Sequence, residues 1–327
     1  MIIFIGENLN SLSGGGVATR SNLQRLTEEF GDDLVKVYEV PYKVNNLYDK
    51  FLGLVFGTTK PLALMRFIVM TSPDLVWIDR STYVWLFLLY PFMRTCRWRV
   101  YMHNNEVKYH RDLAVLNMSV AAWLRVIILS CYMWLCRIPF IDLYTINPDD
   151  KKNNQRVTVW LPRFVLSEVC SGASDVTINR PYFLVIGSLF APNIEGIKWL
   201  RENVSYAVDD QFLIIGKGLT PELLALEESD NFHVLGEVEE IQPYIEASVA
   251  TIAPIWYGSG LKIKIAESIV YGKHCIASES AAEPFKAILG EQYGNYISTF
   301  SNEYELIEIL RNKYFNSNLQ KGRFFID

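Results

Sequence analysis

The stretch that decides the fold is Pro254-Ile255-Trp256-Tyr257-Gly258-Ser259-Gly260-Leu261-Lys262-Ile263-Lys264-Ile265-Ala266-Glu267-Ser268. An apolar run ending at Ala253 passes into a Gly-Ser-Gly loop and then into a segment with helical periodicity, the order of a strand, a tight connection and a helix. Unpaired amides at such a helix start attract anions, phosphate in particular. At about 100° per residue, Ile263, Ile265, Ala266, Ile269 and Val270 fill one broad apolar arc. Lys264, Glu267, Ser268 and Tyr271 share the narrow remainder, expected to be an exposed strip with a cation and a carboxylate one turn apart.

Two readings of that strip stand side by side. In one, amides and lysine hold the phosphates of a nucleotide diphosphate sugar, and the carboxylate accepts hydrogen bonds from ribose hydroxyls. In the other, Lys264 and Glu267 are a surface pair worth about 0.3 kcal/mol.

Outward from this stretch, short β-branched or aromatic runs alternate with longer helical patterns, the signature of parallel sheets covered by helices. In the first half, strands are expected at Ile2 to Ile5, Leu34 to Val40, Leu75 to Ile78, Arg99 to Met102, Ile141 to Thr145 and Val157 to Val159. Trp160 to Arg180, rich in Ser, Gly and Pro, reads as a linker. The alternation then restarts. Strands are expected at Tyr182 to Ile186, Phe212 to Ile215, Phe232 to Leu235, Val249 to Ala253 and His274 to Ala277. Helices are expected at Pro192 to Glu202, Pro221 to Glu228, Val238 to Ala247, Leu261 to Tyr271 and Tyr304 to Tyr314. The fold class is therefore α/β with two Rossmann-like domains, 1–165 and 166–310, facing a central cleft. Residues 311–327 form a terminal segment expected to pack back toward the first domain.

Composition narrows the function. A chain of 327 residues suggests about two domains. Its 31 Lys and Arg against 36 Asp and Glu give a net charge of −5, which argues against a generic nucleic-acid binder. The apolar surplus lies in Ser81 to Met93 and Leu113 to Cys136, interrupted by Pro91, Arg94 and Arg125, so no transmembrane helix is expected. The opening Met1-Ile2-Ile3-Phe4-Ile5-Gly6 lacks a basic segment and reads as a strand, not a signal peptide, which implies cytoplasmic residence. Five scattered cysteines without a CxxC read as buried thiols, with no metal site.

Gly258 to Glu267, followed by Gly272-Lys273 and Cys275 to Ser278, resembles the donor-site signature of GT-B glycosyltransferases of family 4, in the subgroup with a G-[SA]-G-x-[RK]-x-K-x-x-E pattern. Gly187-Ser188-Leu189, Pro192-Asn193, Gly196, Ile215 to Gly218 and Leu235 to Val238 follow in the expected order. Two departures stand out: Ser259 replaces the first of the paired glutamates found in better-known members, and Ser188 replaces an arginine.

The resemblance implies roles for matching positions. Glu267 would bind the donor ribose, and Lys264, with the amides of Gly260 and Leu261 in the Gly258-Ser259-Gly260 loop, the diphosphate. Backbone from Leu235 and Gly236 to Val238 would meet the nucleobase, and Gly187, Ser188 and Asn193 would line the donor site. Lys217 would reach the phosphates or lie solvated. In the first half, Gly14, Gly15 and Gly16 read as a Gly-rich loop, with Gly15 and Gly16 toward the donor sugar and Gly14 toward the acceptor. His103-Asn104-Asn105-Glu106 resembles the HN-x-E segment of related polysaccharide enzymes, with His103 against the donor sugar and Asn104 and Glu106 toward the acceptor; the same residues also make good helix-capping chemistry.

The function expected is transfer of a sugar from a nucleotide diphosphate sugar to a saccharide or lipid-linked acceptor, as in bacterial lipopolysaccharide, O-antigen or capsule synthesis, with retention, no metal and no cofactor. His103, Lys264 and Glu267 are the expected catalytic residues. A non-catalytic GT-B subunit and a sugar-nucleotide epimerase are the alternatives. Between Arg94 and Lys152, nine Lys or Arg face five Asp or Glu. Beside Trp123, Tyr132, Met133 and Trp134, this local positive charge suits an anionic membrane surface, or else the segment is a buried helix pair of an ordinary domain.

Overall fold

The computed structural model describes residues 1–7, 9, 14–40, 45–103, 106–117, 120–135, 140–148, 151, 156–163, 181–221, 230–258 and 260–313. Backbone packing divides the chain into two compact units, the first running to Pro162 and including Gly260 and Leu261, the second beginning at Arg163. Most of the Trp160 to Arg180 segment, nearly all of the helix expected at Pro221 to Glu228, and the segment beyond Lys313 lie outside the described residues.

The first unit is built on β1 (Ile2–Gly6), β2 (Val35–Glu39), β3 (Leu75–Ile78), β4 (Arg97–Met102), β5 (Ile141–Thr145) and β6 (Val157–Val159). They form one parallel sheet in the order β2-β1-β3-β4-β5-β6, with Ile2 level with both Val35 and Leu75. Every residue of β1 is buried, as expected for a central strand covered on both faces. Around the sheet lie α1 (Gly14–Phe30), α2 (Leu47–Phe56), α3 (Pro61–Thr71), a 3-10 helix (Ser81–Phe92), α4 (Glu106–Asn117) and α5 (Val120–Leu135).

Much of the apolar surplus is core. Tyr83, Val84, Trp85, Leu86, Phe87 and Leu89 of the 3-10 helix are buried in the cluster that includes Ile3, Val76 and Trp98. Helix α5 is different: Val126 and Leu129 face inward, while Trp123, Leu124, Ile127 and Trp134 are exposed. Cys131 is exposed on the same helix, contrary to the expectation of buried thiols, whereas Cys96 and Cys275 are buried. Among the described residues no single helix is long and apolar enough to cross a membrane; α2 and α3 reach that length only together, bent by 51°.

The second unit contains β7 (Tyr182–Ile186), β8 (Gln211–Ile215), β9 (Phe232–Gly236), β10 (Thr251–Ala253), β11 (Cys275–Ser278) and β12 (Ile297–Phe300), parallel in the order β12-β11-β10-β7-β8-β9. Its helices are α6 (Ala191–Asn203), α7 (Gln242–Ala247), α8 (Ile263–Val270), α9 (Glu279–Leu289), α10 (Tyr293–Tyr296) and α11 (Glu303–Asn312). Helix α7 starts later than expected, with Pro243 in its first turn, where a missing N–H costs nothing. Helix α8 starts at Ile263 because Gly260, at φ +82°, is left-handed and outside any right-handed helix. Helix α9 and strand β12 are additions to the sequence reading.

In each sheet the order reverses once, between β1 and β3 in the first and between β7 and β10 in the second. Loops leaving the carboxyl ends of such neighbouring strands diverge to opposite faces and open a crevice between them. Gly6-Glu7 and Asp79-Arg80 flank one reversal; Gly187-Ser188 and Pro254-Ile255 flank the other.

Candidate functional site

At the reversal in the second sheet, Lys264 and Asn193 meet. The Lys264 ammonium donates to Asn193 Oδ1 at 2.6 Å, and Asn193 Nδ2 donates to the Ser188 carbonyl at 3.1 Å. Asn193 is thus held by the loop after β7 and holds the lysine of α8 in turn. Lys262, the residue before α8, caps the helix with no side-chain hydrogen bond and sends its ammonium back to the Gly258 carbonyl at 3.0 Å. The first-turn amides of α8 therefore have no side-chain cap, the condition for an anion site at a helix start.

The strip carrying Lys264 and Glu267 is not the exposed one expected. Ser268 is fully buried: its hydroxyl donates to the Lys264 carbonyl at 2.8 Å and accepts from Thr251 at 2.8 Å, so its polarity is spent inside the core. Lys264 and Glu267 are half-buried, and among the described residues no ion pair joins them. Burial lowers the Lys264 ammonium to about 7, with the neighbouring Lys262 charge adding to the effect. Burial also raises the Glu267 carboxyl to about 7, against the pull of Lys264. An anion bound beside Lys264 favours its charged form and opposes the effect of burial.

Close backbone packing supports this arrangement. A Cβ on Gly216 would stand 1.2 Å from the Gly187 carbonyl oxygen, so the loops after β7 and β8 approach as only glycine allows. Gly187 N–H donates to Ile215 and Gly216 N–H to Gly236, which ties the three loops together. Gly260 and Leu261 are buried, and Gly258 is left-handed at φ +101°. Lys217 forms an exposed pair with Glu237 at 3.7 Å. Leu235 is exposed, Gly236 buried and Val238 half-buried against Ile245 and its neighbours. Ser259 lies outside the described residues.

In the first unit, His103 follows β4 and is buried. Its Nε2 lies 2.8 Å from Asp79 Oδ2, and Asp79 Oδ1 accepts from Asn22 at 2.8 Å and from the Trp77 indole at 3.1 Å. Tyr101 stands edge-on to the imidazole, ring centroids 4.9 Å apart. This fully buried carboxylate fixes the ring of His103, as second-sphere carboxylates do in other histidine sites. Sequence reasoning missed Asp79, Asn22 and Trp77. The only available signal was an acidic residue directly after an apolar strand.

The Gly-rich loop is a correction: Gly14, Gly15 and Gly16 are the first residues of α1, so they offer first-turn amides and not a loop. Glu106 opens α4, where a carboxylate complements the helix dipole, and lies 3.9 Å from His110 one turn on. Asn104 lies outside the described residues. Among the described residues, no three His, Cys, Asp or Glu side chains cluster as metal ligands.

Comparisons bear on these units. No curated protein matches the sequence. Residues 180–307 match the family model for glycosyl transferases group 1. Among solved structures, WaaG, a glycosyltransferase involved in lipopolysaccharide biosynthesis, is 11% identical at a TM-score of 0.65, over 97% of this chain and 91% of that one. Sucrose-phosphate synthase from Thermosynechococcus elongatus is 14% identical at 0.67, over 95% and 88%. Anabaena HepE, in complex with UDP-glucose, is 13% identical at 0.62, over 95% and 89%. The likeness to these structures over nearly the whole chain shows that it has the two-domain α/β GT-B fold, and residues 180–307 are similar to the glycosyl transferases group 1 family.

Proposed function

We propose that the protein transfers a hexose from a uridine diphosphate sugar to a lipid-linked saccharide, with retention and without a metal. The observation that carries this is the Lys264–Asn193 contact at the second-sheet reversal, with an uncapped helix start on one side and Glu267 one turn along on the other. A nucleoside diphosphate there supplies the negative charge that Lys264 lacks, and Glu267 accepts from the ribose. Binding of UDP-glucose by the distantly similar HepE supports the choice of donor.

In this reading, Lys264 and the amides of Gly260 and Leu261 stabilise the departing diphosphate, which is electrostatic catalysis by preorganised donors. The acceptor hydroxyl attacks from the face the diphosphate leaves. His103, fixed by Asp79, positions the donor sugar. In the second unit Gly187, Ser188, Leu235, Gly236 and Val238 complete the donor surface, and in the first unit Glu106 is assigned to the acceptor.

The exposed aromatic and aliphatic side chains of α5, amid the basic excess between Arg94 and Lys152, support work at the inner face of a membrane. Flotation with vesicles containing phosphatidylglycerol tests this: salt-sensitive binding is expected, and its absence refutes it. The catalytic reading is tested by following UDP release from UDP-sugars with and without bacterial lipid extract. Acceptor-dependent release is expected; tight UDP-sugar binding without turnover on any extract overturns it in favour of a binding subunit.

A further inference from the structure

Strand β10 ends at Ala253, and the loop after it, residues 254–258, is held by other parts of the second unit at each position. A Cβ on Gly196 of α6 would stand 1.8 Å from the Pro254 carbonyl oxygen, so helix and loop are in direct backbone contact there. The Ile255 carbonyl accepts from the hydroxyls of Ser278 and Ser280 at the start of α9, the latter at 2.9 Å. The Trp256 indole meets Trp199 of α6 edge-on, ring centroids 4.6 Å apart. The Tyr257 hydroxyl, pushed up to about 12 by burial and by the carboxylate beside it, donates to Glu195 of α6. The Gly258 carbonyl accepts from the Lys262 ammonium at 3.0 Å.

These anchors differ in kind. Pro254 and Ile255 are buried and Trp256 packs on the core, so their contacts belong to the folding of the unit. Tyr257 is half-buried and Glu195 exposed. A hydrogen bond so placed adds little to stability, because water can replace either partner. Its position is what distinguishes it. Tyr257 precedes Gly258, whose φ of +101° turns the chain into the Gly-Ser-Gly loop. Helix α6 thus meets the donor site twice near its start. Asn193 takes the Lys264 ammonium at 2.6 Å, and Glu195, on the same helix, takes the Tyr257 hydroxyl.

We infer that Tyr257 and Glu195 are positioning residues: their hydrogen bond latches the loop after β10 to α6 and presets the chain direction at Gly258 for the donor diphosphate. This rests on the transferase reading above for the identity of the ligand, while the latch itself is tested without one. The contribution is to binding, since a loop already ordered gives up less conformational freedom when the ligand closes on it.

The test uses the whole protein and two readouts. Without ligand, amide hydrogen exchange followed by mass spectrometry reads the mobility of residues 254–262. Tyr257→Phe removes the hydroxyl and keeps the ring, and is expected to speed exchange there about fivefold. Glu195→Ala, on an exposed position, does the same from the other partner. Glu195→Gln, whose carboxamide oxygen still accepts, restores exchange close to that of the parent. Calorimetry then reads the dissociation constant of UDP-glucose. It is expected to rise about fivefold in Tyr257→Phe and in Glu195→Ala, no further in the double variant, and to stay within about twofold for Glu195→Gln.

Exchange at residues 254–262 that is indifferent to both Tyr257→Phe and Glu195→Ala overturns the latch, and so do effects that add in the double variant. Faster exchange with unaltered UDP-glucose affinity overturns its role at the donor site. A parent protein that binds no UDP-glucose refutes the donor reading and the role together, whereas exchange still decides the latch.

Discussion

Donor binding should follow a bell in pH, centred near neutrality. Lys264 and Glu267 are each held at about 7 by burial, and the proposed contacts need the lysine protonated and the glutamate ionised. UDP-glucose is the ligand of choice because its diphosphate stays fully ionised throughout the range. At about pH 8, one unit above its pKa, roughly a tenth of Lys264 carries its proton, so affinity falls about tenfold for each further unit on the alkaline side. The acid limb mirrors it as Glu267 takes up a proton.

The ligand-free fold should show the opposite trend. Lys264 releases its proton near 7 in the fold but near 10.5 when unfolded, so the unfolded chain binds more protons between those values and stability rises with pH across them. Glu267 holds its proton to about 7 in the fold but only to 4.5 when unfolded, so stability falls as pH rises from 4.5 to 7. Their sum is a stability minimum near neutrality, at the pH where binding is strongest. Lys264→Met should therefore abolish the alkaline limb of binding, and with it the rise in stability of the free protein above neutral pH. Calorimetric titration of UDP-glucose from about pH 5.5 to about pH 8.5, with urea unfolding across the same range, measures both. A flat affinity profile, or a Lys264→Met protein whose stability still rises above neutral pH as the parent's does, would refute the reasoning.

Three further substitutions test the frame around the sites. Arg125→Met leaves the Leu54 carbonyl at the end of α2 without its guanidinium donor and the Gly53 carbonyl with the Gly57 N–H alone, and urea unfolding should show a loss of about 2 kcal/mol. Gly216→Ala drives a methyl into the Gly187 carbonyl oxygen; the loops after β7 and β8 must separate, and thermal unfolding should report a cost of about 3 kcal/mol with weakened UDP-glucose binding. Asp79→Asn keeps the shape beside His103 but removes the charge that fixes its ring; transfer should slow by about 10- to 100-fold, an effect visible in turnover at saturating donor.

The strands were legible wherever burial on both faces left an unbroken apolar run, as in Ile2 to Ile5 or Phe183 to Ile186. Strand β12, Ile297-Ser298-Thr299-Phe300, was not: it is an edge strand with only its end residues buried, so it carries no such run. Helix α9 contains Pro284, which in a bare sequence marks a break. The residues of the donor motif could be read because loop, lysine and glutamate are adjacent in the chain. What holds them could not, since Asn193 lies 71 positions from Lys264 and Asp79 lies 24 from His103.

Strand order is what joins these distant residues. Because β7 lies beside β10, the loop carrying Ser188 and the helix carrying Lys264 emerge next to one another, and Asn193 is within reach of both. Because β1 lies beside β3, Glu7 and Arg80 emerge together in the same way. The cavity they line draws on α2, α4, α5 and both of those loops, so no single segment carries a motif for it. Its existence follows from topology, its lining from the side chains that topology brings together. Glu7→Gln should therefore weaken the pair with Arg80 at 3.5 Å while leaving the sheet that creates the crevice intact, a separation that urea unfolding and the chemical shift of the Arg80 guanidinium measure independently.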